Sequence, residues 1–279
     1  LTQAFAHVLV VGAGQMGAGI AQVVAASGRD VSLHDPYPGA TDRALAAIER
    51  SLGKLAEKGG ADPAPTLARI AVVEDLVPAD LLIEAVVEDE QAKAEVFRRA
   101  DAVLPAGAVL ASNTSSIPIA TLAAATGRPG DVIGLHFFNP VPLLALVEVI
   151  RGPSTSEATA AAVVALARDL GKEPVEARDV AGFVANRILM PFINEAVRAL
   201  SDGVASAEGI DTVARLGFAH PLGPLALADL IGLDTCVAIM EVLERGLGEA
   251  RFAPAPLLCE HVAAGRLGRK SGRGFYAYE

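Results

Sequence analysis

The chain has 279 residues, 52% of them hydrophobic and 20% charged, which excludes a disordered protein and supplies a core large enough for two domains. A formal net charge of -10 argues against a nucleic-acid surface, because phosphate neutralisation needs a broad excess of Lys and Arg, although an acidic protein can still hold an anion locally. Cys236 and Cys259 stand far apart and outside any metal-ligand spacing, so neither a disulfide framework nor a metal site is expected, and reduced thiols make the cytoplasm the default location. No apolar stretch reaches membrane-spanning length without interruption by charge or proline, so no membrane partner is expected. The chain enters its first strand almost at once, which leaves no room for a signal peptide, but its start at Leu1 rather than methionine leaves open what precedes it.

The run HVLVVGAGQMGAGIAQVVAASG opens as a buried strand, Val8 to Val11, and passes through Gly12, Gly14 and Gly17 into a helix that Gly28 ends. This is G-x-G-x-x-G in the context that gives it meaning. The first glycine allows a tight turn, the second lets backbone approach a pyrophosphate, and the third lets helix pack closely on strand. Gln15 and Met16 fall inside the same loop and are expected at the cofactor with the glycines. The next strand, DVSLHD, ends in Asp35, where an acid can accept from the adenosine ribose hydroxyls. A carboxylate there repels a 2'-phosphate, so NAD is favoured over NADP.

The segment TDRALAAIERSLGKLAEKGG predicts an amphipathic helix with Leu45, Ile48, Leu52 and Leu55 as its buried stripe. Arg50, Lys54 and Lys58 recur every four residues beside Ser51, a cationic line on an acidic protein that suits a polyphosphate; interleaved Glu49 and Glu57 fit an ordinary solvated face equally. Strands follow at ARIAVVEDL and ADLLIEAVVE, a helix at EDEQAKAEVFRRADAVL, and a strand running into a polar loop at AVLASNTS. Strands alternating with helices predict a doubly wound α/β sheet of Rossmann type, mostly parallel. Ligands in such sheets sit at the carboxyl ends of strands, where Glu88, the run Ser112 to Ser116, and His136 all fall. Glu88 and Lys93 also fit a plain helix-start acid and a solvated lysine.

Two apolar runs, GLHFF and LVEVI, flank the proline-containing turn NPVPLL and are expected to pair as a hairpin. Glu148 between Val147 and Val149 is costly to bury without compensation, and His136 is the residue to supply it. A carboxylate on one ring nitrogen fixes the tautomer and leaves the other to exchange a proton, the arrangement of an alcohol dehydrogenase's base. A core histidine bonded to a backbone carbonyl, with a glutamate at a strand edge, is the structural alternative.

After GKEPVEARDVAG the alternation stops, and from Gly182 the pattern is helical to the end, with Phe183, Ile188, Phe192, Ile193 and Val197 as one apolar set. A domain boundary near Asp179 to Gly182 separates residues 1–180, the NAD-binding domain, from a smaller all-helical domain, 181–279. Gly217 is expected to close one helix and Pro224 to open the next. Asn186, expected one turn into the first of these helices among apolar neighbours, requires a hydrogen-bond partner. The basic tail GRLGRKSGRGFYAYE carries Phe275 and Tyr276 and is expected to dock rather than fray.

The motifs VVGAGQMGAGIA, SNTSS, GLHFFNPVP with LVEVI, GFVANRIL, HPLGPLALADLIGLD and GRKSGRGFY resemble those of the L-3-hydroxyacyl-CoA dehydrogenase family, over essentially the whole chain. The resemblance implies an NAD-dependent enzyme that exchanges hydride with C3 of an acyl-CoA small-molecule substrate in fatty-acid β-oxidation. It makes His136 the base, Glu148 its orienting partner, and Ser115 and Asn186 the groups that hold the reacting oxygen and thioester. It puts cofactor contacts on Asp35, Glu88, Lys93, Ser115, Asn139 and Lys270, and CoA contacts on Ser51 and Lys58, with Lys54 on the same cationic face. It also implies a homodimer formed through the helical domain. 3-Hydroxybutyryl-CoA is the first substrate expected, with 3-hydroxyadipyl-CoA and, outside CoA esters, L-gulonate as alternatives. A non-catalytic relative, such as a lens crystallin on this scaffold, is disfavoured by the intact His136–Glu148 pair.

Overall fold

A computed structural model describes residues 4–278. The chain forms two compact units, Leu1–Asp179 and Val180–Glu279. In the first, the elements run β1 His7–Val11, α1 Gln15–Ala26, β2 Asp30–His34, α2 Ala40–Ala56, α3 Pro63–Leu67, β3 Ile70–Val72, β4 Leu81–Glu84, α4 Glu90–Val103, β5 Val109–Ser112, α5 Ile119–Ala123, β6 Val132–Phe137, β7 Leu146–Arg151, α6 Glu157–Asp169 and β8 Glu173–Arg178. Among the described residues eight strands make one sheet, in the order β3-β2-β1-β4-β5-β6-β7-β8.

The first six strands are mutually parallel, and β7 reverses against β6 before β8 joins it in parallel. Helices on a parallel sheet cover both faces, so its central strands read as unbroken apolar runs. Val8, Leu9 and Val10 in β1 and Leu81, Leu82 and Ile83 in β4 are all fully buried. The expected doubly wound, mostly parallel sheet with a helical second part is therefore the fold. The short segment at 173–178, which sequence patterning left unassigned, is the edge strand β8.

The reversal at β6–β7 puts His136 directly opposite Glu148 in an antiparallel register. The turn between them is held by Lys172, whose buried ammonium donates to Val141 O at 2.5 Å and Leu144 O at 2.8 Å.

Helix α2 buries Ala40, Ala44, Ile48 and Leu52; Leu45 and Leu55, expected in the stripe, are only half-buried. The buried face runs Ala40, Ala44, Ile48 and Leu52, one residue every four, and Leu45 and Leu55 lie to its side. Lys58 lies beyond the last helical residue, Ala56, so the cationic line is helical only through Arg50 and Lys54.

The second unit contains α7 Ala185–Ser201, α8 Ala207–Thr212, α9 Pro224–Ile231, α10 Leu233–Leu247 and α11 Pro256–Ala263 around a core that includes Met190, Ile193, Val197, Leu225, Met240 and Leu243. Its first helix begins at Ala185, not Gly182, so Asn186 is its second residue rather than one turn in. Ile188 is 68% exposed, which removes it from the expected apolar set. Pro224 opens α9 as expected, and the helical pattern that follows is divided at Gly232, whose φ of 105° no helix accommodates.

The tail docks, as expected. Asp229 accepts from the backbone of Phe275 and Tyr276, each at 3.0 Å, and from the Tyr278 hydroxyl at 2.9 Å. Asp211 accepts from the amides of Leu225 and Ala226 and from the Tyr276 hydroxyl at 2.8 Å. A Cβ on Gly274 would stand 1.9 Å from the Asp229 carboxylate, so only glycine lets the chain come this close.

Candidate active site

The loop from β1 into α1 shows why each glycine is there. Gly12 has φ of 101°, and a Cβ on it would lie 2.5 Å from Ala85 O; one on Gly17 would lie 1.8 Å from Gly12 O. Both are required by close backbone approach. A Cβ on Gly14 would meet nothing within 4 Å, so no contact within the protein asks for glycine there. Gly14 is the N-cap of α1, makes no side-chain cap bond, and has no acid in the first turn beyond it. A helix start left in this state attracts phosphate through its first amides. Asp35 closes the loop from the other side, accepting from Ala13 N at 2.7 Å and Tyr37 N at 2.9 Å. A cavity of about 500 Å³ opens here, lined among others by Gly14, Gln15, Met16, Asp35, Tyr37 and Val87. These residues fit a dinucleotide: amides for the pyrophosphate, an acid at the ribose position, and apolar walls for a base.

The next two strand ends are tied together by acids. Glu84, fully buried at the end of β4, accepts from Val86 N at 2.6 Å, Lys93 Nζ at 2.7 Å and Ser112 Oγ at 2.6 Å. Burial pushes its carboxyl above the ordinary range, against the opposing pull of the Lys93 charge and the three hydrogen bonds. Lys93 is 1% exposed and spans to Glu88 Oε2 at 3.3 Å. It is neither a solvated lysine nor, with its ammonium shared by Glu84, Glu88 and Val86 O, one turned outward toward a ligand. Glu88 Oε1 gathers the polar loop, accepting from Thr114 Oγ1, Ser115 N and Oγ, and Ser116 N and Oγ at 2.7–3.3 Å. Burial alone would raise Glu88; the neighbouring Lys93 charge and these donors outweigh it and lower the carboxyl below its usual 4.5.

His136 Nδ1 and Glu148 Oε2 stand 2.8 Å apart, with the Glu148 side chain 1% exposed and the imidazole 11%. A carboxylate so placed is an acceptor, and Nδ1 is the donating nitrogen of the ring. The Phe138 ring lies 4.7 Å from the imidazole, and Asn113 Oδ1 accepts from Phe137 N at 2.8 Å, joining the end of β6 to the polar loop after β5. Asn139, next along, is exposed and precedes Pro140.

Thus Glu88, Lys93 and Ser115 come together as one cluster, and His136 and Glu148 as another, with Asn113 bridging the two loops. Lys54 and Lys58 are exposed and Ser51 half-buried on and just after α2. Asn186 and Lys270 belong to the second unit, where Lys270 pairs with Asp234 at 2.6 Å. Ser112 and Asn113 are marked by sequence only as members of the polar run, with no role of their own; Glu84 is not marked, although it carries the same signal as Glu148, a carboxylate inside an apolar strand run. Among the described residues no group of three or more His, Cys, Asp or Glu could hold a metal ion. Burial pushes the Cys236 thiol up to about 12, which makes it inert.

Comparison with known proteins gives the same sense. Residues 7–180 match the family described as 3-hydroxyacyl-CoA dehydrogenase, NAD binding domain, and residues 182–278 match 3-hydroxyacyl-CoA dehydrogenase, C-terminal domain. The chain belongs to the 3-hydroxyacyl-CoA dehydrogenase family. It is similar to a probable 3-hydroxybutyryl-CoA dehydrogenase of Deinococcus radiodurans, at 55% identity over 96% of this chain and 99% of that one. It is also similar to the mitochondrial hydroxyacyl-coenzyme A dehydrogenase of Homo sapiens, at 42% identity over 98% and 91%. The crystal structure of (S)-3-hydroxybutyryl-CoA dehydrogenase from Ralstonia eutropha superposes with a TM-score of 0.95 at 46% identity, covering 99% of each chain. The chain is accordingly an NAD-dependent dehydrogenase, an oxidoreductase that exchanges hydride with C3 of a 3-hydroxyacyl-CoA.

Proposed function

We propose that the substrate is short, L-3-hydroxybutyryl-CoA and acetoacetyl-CoA being the interconverted pair, and that His136 is the base. The observation that carries this is the 2.8 Å contact of His136 Nδ1 with a buried Glu148. With Nδ1 committed to the carboxylate, Nε2 takes the C3 hydroxyl proton in oxidation and returns it in reduction, while Glu148 stabilises the imidazolium in between. NAD bound along the glycine loop supplies the hydride acceptor, and NADH the donor. Gly12, Gly14, Gln15, Met16, Gly17 and Asp35 hold the dinucleotide, with Glu88, Asn139 and Lys270 as further contacts. Lys93 acts at the cofactor rim through Glu88 rather than by direct touch. Ser115 and Asn186 orient the C3 oxygen and thioester, and Ser51, Lys54 and Lys58 offer hydroxyl and cations to the CoA phosphates.

A homodimer through the second unit is proposed with it, supported by the exposure of Ile188, Leu216, Phe218 and Leu230 there, and a cytoplasmic location by the reduced cysteines. Following NADH absorbance with acetoacetyl-CoA, its longer homologues, free acetoacetate and L-gulonate tests the substrate. Fastest turnover of the C4 thioester is expected; faster turnover of a free acid overturns it.

A further inference from the structure

Glu84 touches the loop that carries Ser115 by two separate routes. In one, Ser112 Oγ donates to Glu84 Oε2 at 2.6 Å and accepts from Thr114 N at 3.1 Å. In the other, Lys93 Nζ donates to Glu84 Oε1 at 2.7 Å and reaches Glu88 at 3.3 Å, whose other oxygen collects the amides of Ser115 and Ser116. Every member of the inner part is sealed: Glu84 and Ser112 are 0% exposed and Lys93 1%. Glu84 also accepts from Val86 N at 2.6 Å, which fixes the start of the loop leading to Glu88. A buried lysine between two carboxylates cannot drift without leaving a charge unmatched, so the geometry of this cluster is set rather than adjustable.

We infer that Glu84 is a positioning residue: its buried carboxylate fixes Ser112 and Lys93, and through them sets Glu88 and the backbone of residues 113–116 where Ser115 must meet substrate. It touches neither substrate nor cofactor. One carboxylate thereby couples the rim after β4 to the loop after β5, so that anything moving Glu88 moves Ser115. The kinetic half of this inference rests on the function proposed above; the structural half does not.

The test is hydrogen exchange and steady-state kinetics on the full chain carrying Glu84→Gln, with Glu84→Gln/Lys93→Met as the second variant because it removes the sealed lysine together with its sealed partner, leaving only the half-exposed Glu88 charged, if the first fails to fold. Peptides spanning residues 113–117 are expected to exchange roughly tenfold faster or more, with β1 unchanged. With acetoacetyl-CoA and saturating NADH, kcat is expected to fall roughly tenfold or more, since small misplacements of an orienting group cost rate steeply. The double variant is expected to recover melting temperature without recovering kcat. Wild-type exchange at 113–117, or loosening spread evenly over the first unit, or recovery of kcat together with melting temperature, overturns the inference. A wild-type enzyme that does not turn over acetoacetyl-CoA sinks the substrate proposal alone and leaves the exchange result to decide this one.

Discussion

In the first unit Glu84 and Glu148 are buried against Lys93 and His136, whereas in the second Asp211 and Asp229 are buried against backbone amides and tyrosine hydroxyls. All four carboxylates are at most 4% exposed, so all four needed compensation to be buried at all. The partners differ in what they can do afterwards. An amide keeps its proton through any pH the protein meets, and a tyrosine beside a buried acid is pushed further from ionising, as burial and Asp211 do to Tyr276. An imidazole has a second ring nitrogen that can exchange a proton with a bound molecule, and a lysine can be shared between two acids. The acids of the second unit therefore build a docked tail, and those of the first build a site.

The contrast breaks most sharply at His136. His136→Gln is expected to lower kcat by about 10²–10⁴-fold while the dissociation constant for NADH, read by fluorescence, stays within about threefold of wild type. Normal turnover in that variant would refute the base assignment.

Asp229→Asn is expected to act the other way, on stability before chemistry. The amide keeps one acceptor where three donors converge, and hydrogen bonds to a charged acceptor contribute about 1.5–3 kcal/mol each, so a loss of about 2–4 kcal/mol in urea unfolding is expected. A midpoint unchanged from wild type would show that the tail is not held by this acid.

The smallest effect is expected in acid. Glu88 has its carboxyl lowered from 4.5, so between the folded value and 4.5 the unfolded chain binds more protons than the folded one. Its contribution is complete above pH 4.5 and is lost as pH falls through the folded value. Glu88→Gln is expected to flatten that limb of the stability profile; an unaltered limb would remove Glu88 from it.

Much of this is legible in the sequence itself. The glycine loop, Asp35 and the β6–β7 pair each carry a local sign: a spacing with one backbone solution, an acid at a strand end, a carboxylate among valines. Lys93 shows the limit. Its place in α4 was readable, but not that Glu84 would lie beneath it and turn the ammonium inward. Gly232 is similar, since a glycine inside an apolar run reads as a tolerated weak spot until its φ is known. Period alone puts Leu45 and Ile188 in the core, but period says which residues share a stripe without saying how wide a stripe the neighbours will cover.

The amino-acid order alone determined the two-part architecture, the glycine loop and the pairing of His136 with Glu148, because each follows from interactions between residues near in sequence or from the cost of burying a charge. Only the tertiary structure decided that Glu84, Lys93, Ser112 and Glu88 form one tie beneath Ser115, and that Asp211 and Asp229 receive the tail. These contacts join segments whose spacing along the chain carries no period, and their energy exists only once distant strand ends and loops have been brought into the same desolvated space.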